Sequence, residues 1–138
     1  MTEIEMSKSE KAIAKLIEYT QDGNLEWKIV NPNSYLPKID IKDAMLFVRY
    51  DDKPLLLFRQ GYKHKSVQSF ISSQFASEKE EIIYRAVLCV FDTSSKTAVY
   101  YFPYSTLVED LYKAAVYNAA KVDDLIDSLL KRKLPPKK

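Results

Sequence analysis

The side chains that could do chemistry are few and scattered. Histidine occurs once, at His64, and cysteine once, at Cys89. One imidazole and one thiol cannot close a tetrahedral shell, so no metal site of that kind is expected. Asp51-Asp52 and Asp123-Asp124 are adjacent acid pairs. The first suits a turn and the second suits the start of a helix, so neither requires a ligand. No stretch has the carboxylate spacing of an EF-hand calcium loop. Loops that cradle phosphate need glycines, and the chain holds only two, Gly23 and Gly61. Gly23 reads as a helix cap, and Gly61 reads as a bulge or strand end. No nucleophile elbow and no Ser/His/Asp order is present. The sequence predicts no catalytic residue, no metal and no cofactor. An enzyme with a carboxylate-based site is the third-ranked reading.

Two other groupings point to binding rather than catalysis. Arg59, Tyr62, Lys63, His64 and Lys65 interleave cations with rings. Cations beside stacking rings are what a single-stranded nucleic-acid binder uses. A basic tail from about residue 131, with Lys131, Arg132, Lys133, Lys137 and Lys138, could add salt-sensitive affinity. Against that reading, the formal charge of +2 less those five positive charges leaves −3 for the rest of the chain. A mildly acidic body is not the footprint of a domain with a basic face. The second grouping is aromatic. Ten tyrosines and six phenylalanines exceed what a small core needs. Tyr100, Tyr101 and Tyr104 are nearly consecutive, and Tyr50 closes another apolar strand. In a strand, Tyr100 and Phe102 face one way and Tyr101 the other. Tyrosine is enriched at the centres of protein interfaces. The leading expectation is therefore a small protein-binding or regulatory module, with a homodimer as one form. Its contacts would run through Tyr50, Tyr100, Tyr101 and Tyr104. Nucleic-acid binding ranks second.

These residues need a scaffold, and its centre is the run Ile-Ile-Tyr-Arg-Ala-Val-Leu-Cys-Val-Phe at 82–91. Its β-branched and aromatic content predicts a strand covered on both faces. Arg85 interrupts it, and if buried would need a partner. Cys89 reads as a small buried hydrophobe. Ahead of this strand, Ser7 and Glu10 have capping-box spacing and predict a helix over 9–21. Leu25, Trp27 and Ile29 alternate with charges and predict a half-buried strand anchored by Trp27. Residues 31–37 read as a loop with an exposed Tyr35. The arms 44–50 and 55–62 predict a hairpin turning at 51–54. Residues 67–75 fit either period and are read as a strand. The stretch 97–102 returns after a turn at 92–96.

Thr106 and Glu109 have capping-box spacing before an apolar stripe. Val122, Leu125, Ile126, Leu129 and Leu130 form a second one. One or two C-terminal helices fit. The fold expected is α+β. A largely antiparallel meander of five or six strands carries an N-terminal helix and the C-terminal helices on one face. A chain of 138 residues fits a single domain over 1–138. The first ten residues are polar, and no apolar run nears the ~20 residues that span a bilayer. A cytoplasmic protein with no membrane contact is expected.

Overall fold

A computed structural model of the chain describes residues 6–65 and 80–131. Helix α1 spans Lys8–Gln21. Its capping box forms as the spacing requires. Glu10 N donates to Ser7 Oγ at 3.1 Å, and Ser7 N donates to Glu10 Oε1 at 3.2 Å. Ile13, Leu16 and Thr20 make its buried stripe. Gly23 follows at φ 80°, a left-handed conformation that glycine enters without Cβ strain.

The chain then runs as five strands. They are β1 (Lys28–Val30), β2 (Ile41–Tyr50), β3 (Lys53–Lys65), β4 (Glu80–Asp92) and β5 (Thr97–Tyr101). All neighbours are antiparallel, and the spatial order equals the sequence order, β1 to β5. The fold is the expected α+β meander with five strands. The strand expected at 67–75 lies outside the described residues.

Strand β1 is shorter than the alternation of Leu25, Trp27 and Ile29 suggests. Leu25 and Trp27 are buried, but their backbone pairs with a side chain instead of a ladder. Trp27 N donates to Asn118 Oδ1 at 2.8 Å, and Asn118 Nδ2 donates to Leu25 O at 2.9 Å and to Thr20 O at 3.2 Å. The indole Nε1 donates to Thr20 Oγ1 at 2.9 Å, which satisfies the polar edge of a buried ring.

The β2–β3 turn is tighter than expected. Asp51 and Asp52, at φ 50° and 62°, form a two-residue hairpin turn whose twist matches the flanking strands. Pro54 is already in β3, opposite Arg49 and ahead of the β4 ladder, which starts at Leu55. Gly61 is neither a bulge in β3–β4 nor a strand end. It pairs with Tyr84 in an unbroken ladder. A Cβ there would come within 2.6 Å of Asp40 Oδ2 and 2.9 Å of Tyr84 Cε1. Close approach explains the glycine.

Both sheet faces are apolar, as 82–91 predicts, and the chain itself covers much of each. On one face Leu46, Val48, Leu55, Leu57, Ala86 and Leu88 share a core cluster with Ile13 and Leu16 of α1. The same cluster includes Trp27 and, from helix α2 (Thr106–Ala119), Val108, Leu111, Tyr112 and Ala115. On the other face Met45, Leu56, Phe58, Cys89 and Phe91 meet Leu36, Tyr35 and Ile39 of the loop 31–40. Tyr35 is half-buried, not exposed. Its ring lies 5.7 Å from Phe47 and 5.4 Å from Phe91.

The expectation that 82–91 is covered throughout fails at one end. Cover begins only at Ala86. Ile82 is 52% exposed and Ile83 36%. Strand β2 reaches along β3 only to the Ile41–Gln60 pair, and β5 reaches along β4 only to Cys89. The far ends of β3 and β4 thus project past their neighbours, and Arg85 is exposed. The C-terminal stripes belong to two helices. Lys121 at φ 53° breaks the path between α2 and α3 (Val122–Lys131). Helix α3 contributes no buried side chain. No helix among the described residues is long and apolar enough to cross a membrane.

Candidate protein-binding surface

Strand alternation decides which side chains meet beyond the covered part of the sheet. On the face that loop 31–40 partly covers, β3 continues from Phe58 to Gln60 and Tyr62. Opposite them β4 continues through Val87, Arg85 and Ile83. Tyr101 joins this face as the cross-strand partner of Cys89. The chain then turns through Pro103, and Tyr104 closes the side. Gln60, Tyr62, Arg85, Val87, Tyr101 and Tyr104 line one shallow depression. Tyr62 is 43% exposed, Tyr101 49% and Tyr104 50%. All three rings are therefore half-open to solvent on one side of the sheet.

The depression is braced from below by one carboxylate. Thr106 and Glu109 do not form the expected capping box. Ser105 is the N-cap residue of α2, and its side chain makes no cap bond. Glu109 reaches the edge of β4 instead. Ala86 N donates to Glu109 Oε2 at 2.7 Å, at a point where β5 has ended. Tyr104 Oη donates to the same oxygen at 3.2 Å. Arg59 Nη2 lies 3.5 Å from Oε1 and 3.5 Å from Tyr84 O. One side chain thus blunts an open strand edge and orients Tyr104. The Arg85 guanidinium sits 5.0 Å above the Tyr104 ring centroid. Among the described residues Arg85 has no carboxylate within ion-pair distance, so its charge faces outward.

Electrostatics keep the phenols neutral. Partial burial raises the Tyr104 pKa, and the nearby Glu109 carboxylate raises it further, against Arg85 and Arg59, which lower it. Tyr101 is raised by burial first, then by Cys89 and Tyr62 beside it. Both hydroxyls stay protonated at neutral pH and can donate. Cys89 is buried beneath, and desolvation pushes its thiol up to about 12. That is an inert core thiol, not a nucleophile. Among the described residues no group of three or more His, Cys, Asp or Glu could hold a metal.

The tyrosines picked out by sequence thus divide. Tyr101 and Tyr104 converge, and Tyr62, from the basic-aromatic stretch, joins them. Tyr100 lies on the opposite face, edge-on to Phe102 at 5.2 Å. Tyr50 stacks on Tyr19 of α1 at 6.0 Å, near the β2–β3 turn. The basic-aromatic stretch is also split. Arg59 lies on the helix-facing side, engaged with Glu109 and 5.9 Å from the Tyr112 ring. By alternation Lys63 follows Arg59 rather than Tyr62. His64 and Lys65 pair across the ladder with Glu81 and Glu80. Sequence reasoning missed Gln60, Arg85 and Glu109 as members of one site. For Arg85 a signal existed, because a lone cation in an apolar strand marks where cover stops. Comparison with protein-family models, with curated proteins and with solved structures returned no match.

Proposed function

We propose that the protein is a small cytoplasmic protein-binding module whose docking surface is the depression formed by Tyr62, Arg85, Tyr101 and Tyr104. The observation that carries this reading is the convergence of three half-open rings and one guanidinium, unpaired among the described residues, on the uncovered end of a sheet face. The partner is a protein segment that brings a carboxylate to Arg85 and apolar side chains to the rings. Buried aromatic and arginine anchors supply most of the energy in such contacts. Nucleic acid fits less well. Affinity for a strand grows with the number of neutralised phosphates, and Arg85 is the cation that lines the depression. Of the basic-aromatic stretch, Arg59 is engaged with Glu109, and His64 and Lys65 stand opposite Glu81 and Glu80 in the ladder.

A displayed library of random peptides tests this directly. Enrichment of acidic sequences with apolar neighbours is expected on the wild-type protein. It should vanish for Arg85→Glu and for Tyr101→Ala, and persist for Tyr50→Ala. No enrichment, or enrichment indifferent to Arg85 and Tyr101, overturns the reading. So does salt-sensitive binding of a single-stranded oligonucleotide that is lost with Arg85→Glu.

A further inference from the structure

The edge of β4 beside the tyrosine depression is a vacant strand position. Strand β5 fills it as far as Tyr101, opposite Cys89, and Phe102 N donates to Leu88 O at 2.9 Å. Pro103 then carries the chain away. In an antiparallel sheet alternate residues turn both backbone groups to the same side. Leu88 and Ala86 turn theirs outward, toward Phe102 N and Glu109 Oε2. Tyr84 and Ile82 continue that row. Gly61, the β3 partner of Tyr84, is consistent with it, since Gly61 N donates away from β4, to Asp40 O at 2.9 Å. Tyr84 O has the long 3.5 Å contact from Arg59 Nη2. Among the described residues no hydrogen bond reaches Ala86 O, Tyr84 N or either backbone group of Ile82.

The row over residues 82–86 is roughly 13 Å long, which fits a strand of about five residues. At one end an acceptor already fills the position. Glu109 Oε2 stands where the carbonyl oxygen of a next strand would take the Ala86 N–H. Ile82 and Ile83, exposed on opposite faces, offer apolar cross-strand neighbours on both sides of such a strand. Arg85, with no carboxylate partner among the described residues, offers a charge on the depression face. Main-chain bonds to an open edge supply affinity, and alternate side chains supply specificity. We infer, resting on the docking surface proposed above, that the partner segment binds extended, as a strand added antiparallel to β4 along 82–86 with its acid opposite Arg85. Residues two places from that acid share its face and meet the rings. Residues one place away lie on the helix side, beside Ile82 and Tyr84. A helical segment would instead space its contacts three and four apart.

Backbone amides give the readout, and the probe is the peptide most enriched on the wild-type protein. With peptide bound, hydrogen exchange followed by NMR should slow about tenfold or more at the Ile82 and Tyr84 amides. The Ile83 and Arg85 amides, already paired with Tyr62 and Gln60 in the ladder, should change little. Ile82→Pro removes an edge donor and no β3–β4 bond, so the sheet should tolerate it. It should bind about tenfold more weakly than Ile82→Ala, which keeps the donor. Circular dichroism controls for folding, and the exchange measurement on wild type decides if the proline variant does not fold. Enriched peptides should carry apolar residues two places from the acid. Amides of Ile82 and Tyr84 that stay unprotected overturn the added strand, as does Ile82→Pro binding as well as Ile82→Ala. Apolar residues enriched three and four places from the acid overturn it too. In each of these cases, binding still lost in Arg85→Glu and Tyr101→Ala leaves the docking surface standing. A selection that enriches nothing overturns both.

Discussion

Removing the Glu109 carboxylate should loosen the β4 edge and the depression together. Three contacts are lost in Glu109→Ala. The bond from Ala86 N, at 2.7 Å and to a charged acceptor, is worth about 1.5–3 kcal/mol. The Arg59 contact is long at 3.5 Å, and the two side chains are 32% and 21% exposed, so it adds less than about 1 kcal/mol. The Tyr104 bond, on an exposed ring, adds about 0.5 kcal/mol. Glu109→Ala should therefore cost about 3 kcal/mol in urea denaturation. Glu109→Gln keeps an amide oxygen for Ala86 N and should cost about 1 kcal/mol. The two variants share a second readout. Glu109 is among the causes that raise the Tyr104 phenol, after desolvation, so the Tyr104 pKa should fall in both. Site-resolved NMR of ring-labelled tyrosine measures it. A Glu109→Ala protein as stable as wild type to within about 0.5 kcal/mol, with Tyr104 titrating unchanged, would refute the edge-cap assignment.

Further perturbations test the scaffold. Asn118→Ala deprives Trp27 N and Leu25 O of their side-chain partner and leaves Thr20 O with Gly23 N alone, and should cost about 2–4 kcal/mol by denaturant titration, since these groups are only partly buried. Asn118→Asp should be comparably unstable at neutral pH, with its carboxylate against two carbonyls. Their repulsion raises its folded pKa, so stability should return as pH falls through that pKa. Cys89 supplies a second pH-dependent case, at high pH. Its folded pKa of about 12 lies above the ordinary 9.0, so the native state keeps a proton that the unfolded chain releases. The stability is present below pH 9.0 and is lost as pH rises toward about 12. Wild type should lose roughly 1 kcal/mol per pH unit in that window relative to Cys89→Ala. Iodoacetamide should modify Cys89 only after unfolding. Modification of the native protein at the rate of the unfolded one would contradict its burial.

The sequence makes some features legible and hides others for physical reasons. Helix α1 is legible because its cap, its stripe and its terminal glycine are all local signals. The central strands are legible because short β-branched and aromatic runs bounded by turn residues mark chain that is apolar on both faces of a sheet. Their ends are not, because a strand stops being buried where its neighbours stop. That depends on β2 and β5, not on 82–85. The cover over Met45 and Phe58 is equally hidden, since a loop at 31–40 has no period from which packing can be read. Helix α3 shows the limit most clearly. Its pattern states which side is apolar, and nothing in it states whether the same chain will cover that side. The site is half visible. Tyr62, Tyr101 and Tyr104 stand out by type, but only the β3–β4 and β4–β5 registers bring them together and send Tyr50 and Tyr100 elsewhere.

The most direct measurement follows the ten tyrosines individually by ring-labelled NMR while an acidic, apolar peptide selected on the protein is titrated in. Shifts should concentrate on Tyr62, Tyr101 and Tyr104, with Tyr50, Tyr100 and Tyr112 unmoved, and should disappear in Arg85→Glu. Shifts centred on Tyr50 or Tyr100, or binding that leaves Tyr62, Tyr101 and Tyr104 untouched, would contradict the docking surface.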